Sequence, residues 1–414
     1  MYGCLLRCCL VLMLVVANSH AGISGRFEIL AELDNRRLAS EAELEERLDL
    51  SYQNPNKKIN AGLSLGFVQY GNNHNEELSL LYVEKHLDEK GSLASIGRLQ
   101  RADSLGFYTL DGLHLEQRGG WGSLTIYGGV PGRVENYRSV DGDALYGIDF
   151  QTKQINVKRY EFDGRLGWQY FKEKTSEERI NLGGRFTHKE KPAGMWPTAI
   201  SFSVSYRVKE TTWENTQFSV HRDVADVVRL RLDYETYEPS ENELTFKERF
   251  YSLYSRGRQS ETKAGIQFKQ NRQISWHLSG KHLSREFGSH GSGVTAGMDY
   301  QGLRGWQLST QLDQQALSEE RIHGFYIESR KTLTSFMRLS LSGVVQRQQK
   351  QLVGDNRTLG VDAILERRFT VKALPSPIWL SFETSYIDNS RLSDEYRIAL
   401  RARYHFDDRT REAL

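Results

Sequence analysis

Three guanidinium groups stand near the end of this chain. In "DEYRIALRARYHFDD", Arg397, Arg401 and Arg403 alternate with Tyr396, Ile398, Leu400, Ala402, Tyr404 and Phe406. A period of two sends successive side chains to opposite faces of a β-strand, so the arginines share one face and the apolar residues the other. Arginine stays charged at physiological pH and meets carboxylates as a planar fork. Such a row can pair with acids or attract anions, but it cannot relay protons. Arg229 and Arg231 repeat the pattern mid-chain, alternating with Val228, Leu230, Leu232 and Tyr234.

Residues suited to bond-breaking chemistry show no comparable order. The 11 histidines are scattered, most beside turn-like segments. No G-x-S-x-G elbow, H-E-x-x-H pair or phosphate-binding loop is present. The sequence therefore assigns no catalytic residue, no metal ligand and no cofactor, and an enzyme is the weakest functional reading.

These residues must be carried on something, and the N-terminus bears on where. Arg7 precedes an apolar run from Cys8 to Ala17, followed by the small residues Ser19 and Ala21. This is the pattern of a Sec signal peptide, residues 1–21, with an apolar run too short to span a bilayer. All three cysteines (Cys4, Cys8, Cys9) fall inside it. The exported part then has no thiol for a disulfide, a metal cluster or covalent haem attachment. The full chain's formal net charge of +2 and the lack of a basic cluster argue against nucleic acid as a partner. Mean hydropathy is negative and no second long apolar run exists, which excludes a helical membrane protein.

Alternation of apolar and polar residues recurs along the rest of the chain. "TAISFSVSYRVKE", "RTLGVDAILERRF" and "GRFEILAELDN" each read as a strand with one oily and one wet face. These strands run to roughly 9–13 residues, long for a globular protein and suited to a tilted bilayer crossing. The prolines fall between candidate strands, and "QNPNKK", "GNNHNE" and "VGDNRT" suit hairpin turns. No helical period is sustained beyond about three turns; "LASEAELEERL" is the best helical candidate, yet Leu48, Leu50 and Tyr52 soon resume a strand alternation. The count comes to about 22 strands within a range of roughly 18–24, with residues 150–175 hardest to divide.

A soluble sandwich or solenoid would use shorter strands or a fixed repeat. A transmembrane antiparallel up-and-down β-barrel instead turns its apolar face to lipid, its charged face to a wet lumen, and closes so that no backbone group is unpaired in hydrocarbon. The expected layout is all-β, with the barrel over residues 22–406 and a short polar tail over 407–414. Arg229, Arg231, Arg397, Arg401 and Arg403 are expected to face the lumen, since an arginine at mid-membrane costs roughly 2–4 kcal/mol.

On these residues the chain resembles bacterial outer-membrane β-barrel proteins of the porin type. Their last strand alternates in the same way and ends on an aromatic residue that the barrel-assembly machinery recognises. The matching residues are Tyr396, Ile398, Leu400, Tyr404 and Phe406, here followed by "DDRTREAL". The resemblance implies residence in the outer membrane of a Gram-negative bacterium, among outer-membrane lipid and lipopolysaccharide.

A narrower resemblance lies in "SIGRLQRADSLGFYTLDGLHLEQRGGWGSLTIYGGVPGR". Several porin-like families carry a strand ending in Gly-Arg, an excursion, then "LDG", then a strand closing on "G-G-x-P". The corresponding residues are Gly97, Arg98, Asp111, Gly112, Gly128, Gly129 and Pro131. In those families the excursion can fold inward and narrow the pore. Arg98, Arg101, Asp103 and Asp111 would then form opposed charge rows that orient a polar solute. The other reading is an ordinary external hairpin with its own ion pairs.

Strand pattern begins within about five residues of the expected cleavage site, which leaves no room for an N-terminal plug. Three functions remain: a channel for small polar or charged solutes, a sleeve around a periplasmic or secreted partner such as a multihaem cytochrome, and an outer-membrane enzyme. The channel is the preferred reading.

Overall fold

The computed structural model describes residues 22–407, apart from 36–40, 55–57, 71–72, 104–105, 136–137, 142, 173–175, 189–197, 210, 226, 238–258, 286–289, 303–304, 319, 351–353, 372–373, 375 and 391–393. Residues 1–21, where the sequence predicts a signal peptide, and the last seven residues lie outside the described residues.

The first half contributes β1 (Ile23–Asp34), β2 (Glu41–Asn54), β3 (Ile59–Tyr70), β4 (Asn73–His86), β5 (Leu93–Asp103), β6 (Gly106–Gly119), β7 (Gly122–Glu135), β8 (Arg138–Asp141), β9 (Ala144–Thr152), β10 (Ile155–Val157), β11 (Tyr160–Lys172) and β12 (Ser176–His188). The second half contributes β13 (Thr198–Arg207), β14 (Thr212–Ala225), β15 (Val228–Tyr237), β16 (Gln259–Lys269), β17 (Ile274–Arg285), β18 (His290–Gln301), β19 (Trp306–Leu317), β20 (Glu320–Thr334), β21 (Met337–Lys350), β22 (Gly354–Phe369), β23 (Ile378–Asn389) and β24 (Glu395–Asp407).

Each stave pairs antiparallel with its sequence neighbours, and β24 pairs with β1 from Ser24↔Asp407 to Asp34↔Arg397, which closes the sheet. β8, β9 and β10 are pieces of one stave: β8 and β9 share the edge of β7, and β9 and β10 share that of β11. The result is a closed antiparallel barrel of 22 staves, as the alternation predicts. Residues 150–175, hard to divide in the sequence, are where this stave breaks and turns into β11.

Exposure along β20 shows the division of faces. Glu320, Ile322, Gly324 and Tyr326 are buried and point inward, while Arg321, His323, Phe325 and Ile327 are exposed. Large apolar side chains on the outer face are exposed around the barrel, among them Leu81, Leu166, Leu182, Leu230, Leu278, Leu312, Val361 and Leu400. Such an exterior is unstable in water and stable in hydrocarbon.

Two local readings of the sequence are corrected. From Glu41 onward, "LASEAELEERL" belongs to β2, not to a helix. Ala42, Leu44 and Leu48 lie opposite Leu33, Ala31 and Phe27, so pairing with β1 overrides a weak helical preference. Pro131 lies inside β7 rather than between strands, opposite Leu110. The ladder from β7 to β9 stops two residues earlier, at Gly129↔Leu145, so Pro131 has an unpaired edge where a missing N–H is tolerated.

Candidate pore site

The seam where β24 meets β1 carries the terminal arginines on its inner face. Arg397 Nε lies 2.7 Å from Glu32 Oε2 on β1, and its Nη1 lies 3.5 Å from Glu383 on β23. Arg401 bridges Glu28 and Glu383 at 3.5 Å each, and Arg403 Nη2 donates to Glu366 Oε1 on β22 at 2.9 Å. Further round, Arg26 donates to Asp49 on β2, which also accepts from Ser64 Oγ. Charges of alternating sign thus line this arc. Tyr396, Ile398 and Leu400 are exposed on the outer face. Tyr404 and Phe406 share that face but are buried near the terminal rim, opposite Phe27 and Gly25.

The wall formed by β13 to β17 is wetter. Arg229 pairs with Asp223, and Arg231 with Asp233, each at 2.6 Å, yet the arginine side chains keep 48% and 64% of their exposure. They line a concavity of about 880 Å³ together with Ser219, Glu235, Lys263 and Ser279. Guanidiniums held by a neighbour but still half-solvated can offer their remaining donors to a passing solute.

The most informative geometry lies in β5 to β8. The β4–β5 ladder ends at Leu81↔Arg98, and the β7–β9 ladder ends at Gly129↔Leu145. Beyond both points β5, β6, β7 and β8 remain paired with one another, so they form a four-stranded flap detached from the wall on both sides. Its direction follows from reach. Ser95 on β5, His114 on β6 and Tyr127 on β7 lie in one register row. Arg101 is six residues past Ser95, roughly 20 Å along an extended strand. Yet Arg101 Cζ lies 3.4 Å from the centroid of the Tyr127 ring, and its Nη2 lies 3.1 Å from Asp149 Oδ2 on β9. An arginine side chain cannot cover that separation. The flap must double back over the inner face of the wall.

Two glycines allow the bend. Gly97 has φ +125°, and a Cβ there would lie 2.1 Å from the Leu81 carbonyl oxygen. A Cβ on Gly112 would lie 2.0 Å from the Gly128 carbonyl oxygen. Only glycine fits the dihedral at Gly97 and the close backbone approach at both positions. The underside of the flap then docks: Tyr108 and Leu110 pack with Tyr127, Leu145 and Phe171 in a fully buried cluster. Gln169 donates to Tyr127 Oη at 2.7 Å, Asn181 donates to Gln169, and Arg101 Nε donates to Tyr108 Oη. Burying two large side chains contributes on the order of 1.5–3 kcal/mol each.

This placement revises the charge rows drawn from the sequence. Arg98 and Asp111 face each other at the root of the flap, with Arg98 Nε 2.6 Å from Asp111 Oδ1. Arg98 Nη1 also donates to the Leu78 carbonyl, in the part of β4 that β5 has left. Arg101 lies on the opposite face of the flap, only 13% exposed, as is Asp149. The side chain of Asp103 lies outside the described residues. Instead of opposed rows across a lumen, the described charges close into two separate ion pairs. Asp149, Tyr127, Tyr108 and Leu110, which hold the flap down, were not singled out by sequence. Their one sequence signal is the inward parity they share with neighbouring polar positions.

A closed barrel of long staves with an apolar exterior and a charged interior is a membrane-spanning β-barrel. No protein-family model matches the sequence, and no curated protein does. Among solved structures, the ferric enterobactin receptor PfeA is similar at a TM-score of 0.60 and 8% identity, over 93% of this chain and 82% of that one. The siderophore receptor PirA of Pseudomonas aeruginosa is similar at 0.56 and 9%, over 94% and 81%. OccK5 (OpdH) of the same organism gives 0.45 and 11%, over 94% and 98%. At these identities the shared property is the fold.

Proposed function

We propose that this chain is a porin-like channel of a Gram-negative outer membrane, exported through its leader, that passes small polar or charged solutes. The observation that carries the reading is the Arg101–Tyr127 contact, because it puts a four-stranded flap inside the barrel. A flap built from the wall's own staves narrows the lumen without a separate domain. The half-solvated Arg229 and Arg231 and the seam arginines supply polar contacts along the wall, so a solute would shed water gradually. The outward row Tyr396, Ile398, Leu400, Tyr404 and Phe406 is the segment we assign to the barrel-assembly machinery. The reading requires no catalytic group and no cofactor.

The test is conductance of the purified protein in planar bilayers, with liposome swelling across a panel of sugars, amino acids and organic acids. Single-channel steps with size-dependent swelling support the channel. A barrel that stays silent even after residues 102–107 are removed would instead fit a sleeve around a partner protein.

A further inference from the structure

A second hollow, of about 600 Å³, lies where the first strand of the flap meets the inner wall of β1 to β4, across the lumen from the concavity over β13 to β17. Its lining includes Arg26, Arg47, Asp49, Ser51 and Tyr82 from the wall and Gln100 from the flap.

Strand register accounts for its shape. Ser24, Ser51, Gly62 and Tyr82 stand opposite one another on β1 to β4, and the row continues into Gly97, where the flap bends. A Cβ on Gly62 would lie 2.3 Å from a carbon of the Tyr82 ring. The ring therefore lies over the bare backbone of β3, which leaves its other face to the hollow. Gln100, three residues past the bend, is exposed and bounds the hollow from the flap side.

The polar groups beside the ring are rich in donors and balanced in charge. Asp49 Oδ2 accepts from Arg26 Nε and Nη2 at 3.0 and 2.7 Å, and its Oδ1 accepts from Arg47 Nε at 3.2 Å and Ser64 Oγ at 2.6 Å. Four bonds fill this carboxylate, so Asp49 positions two guanidiniums and leaves their further N–H donors to meet a solute. Glu28 stands opposite Arg47, so two carboxylates offset the two cations. The hydroxyls of Ser24 and Ser51 bond each other at 2.7 Å.

We propose that this hollow binds a neutral mono- or disaccharide, with one sugar ring laid on Tyr82 and its hydroxyls on Ser51, Arg26, Arg47 and Gln100. A sugar ring carries C–H bonds on its faces and hydroxyls around its rim, which matches an aromatic face edged by hydrogen-bonding groups. Balanced charge at the site favours a neutral solute over an ion. The inference deepens the channel reading and rests on it, since a solute passing beside the flap crosses this hollow.

The experiment is ligand-observed NMR of the full-length protein in a detergent without a sugar headgroup, titrated with maltose, mannitol and gluconate. Maltose should bind, while mannitol, which has the hydroxyls but no ring face, should bind far more weakly. Tyr82→Ala should weaken maltose binding about tenfold, whereas Tyr82→Phe, which keeps the ring, should stay within about twofold of wild type. Gln100→Ala should weaken it severalfold, and Tyr386→Ala, on the outer face, should change nothing. Heat-modifiable migration shows which variants are folded. Binding is read without transport, so a barrel that binds maltose through Tyr82 but stays silent in bilayers would lose the channel reading and keep the site. Equal binding by folded Tyr82→Ala, equal binding of mannitol, or tighter binding of gluconate than of maltose would each overturn the proposal.

Discussion

Arg101 on β5 and Asp149 on β9 are 48 residues apart in sequence and three staves apart around the wall, yet their side chains meet at 3.1 Å. The contact exists because the tip of β5 has left the wall and lies across β6, β7 and β9. It ties the underside of the flap to the barrel.

If that pair is a latch, Arg101→Ala or Asp149→Asn should loosen the flap in a folded barrel. Removing one partner of a largely buried pair costs roughly 1–3 kcal/mol. Single-channel recordings should show larger and noisier openings, and Asp149→Asn with Arg101→Gln should add little beyond either change. Conductance unchanged in both single variants would mean that the apolar cluster alone holds the flap.

The bend is a separate matter of backbone. Gly97→Val and Gly112→Val each force a side chain against a carbonyl oxygen about 2 Å from the new Cβ, and Gly97 adds a dihedral penalty on the order of 1–3 kcal/mol. Both variants should lower the temperature at which the barrel loses its folded gel mobility. Gly120→Ala, which meets no atom within 4 Å, is the control and should migrate as wild type.

Face assignment can be tested on β15. Leu230 is exposed on the outer face and Arg231 faces the lumen. Leu230→Arg should impair assembly by roughly 2–4 kcal/mol, while Arg231→Leu should assemble almost normally. The reverse ranking, read as membrane-integrated yield, would show that the pleat is inverted.

Closure of the barrel depends on the seam. Glu32→Gln removes the nearest carboxylate from Arg397, which among the described residues then keeps Glu383 at 3.5 Å. The side chains are 17% and 11% exposed, so the loss should be about 1–2 kcal/mol, seen as a lower unfolding temperature in detergent. Arg397→Gln takes the same cation from both Glu32 and Glu383, leaving Glu383 with Arg401 at 3.5 Å, and should cost more. The order of the two variants in thermal denaturation decides whether Arg397 is the hub.

Much of this protein was legible in its sequence because the controlling interactions are local. A strand has a period of two, so the alternation of Leu230 with Arg231, or of Leu400 with Arg401, already divides the faces, and hairpin turns set each stave against the next. That is why the stave number could be read closely while the pieces β8, β9 and β10 could not be separated. What only tertiary structure decided are the meetings between residues far apart in the chain. Helical preference in "LASEAELEERL" gives way because β1 offers a full ladder. Pro131 is admitted to a strand because β9 has stopped short of it. Arg98 and Arg101, three residues apart and alike in composition, end on opposite faces of a flap whose position depends on a doubling-back at Gly97 and Gly112. No local period encodes that fold-over; it exists only once the closed wall provides an inner surface on which Tyr108 and Leu110 can be buried.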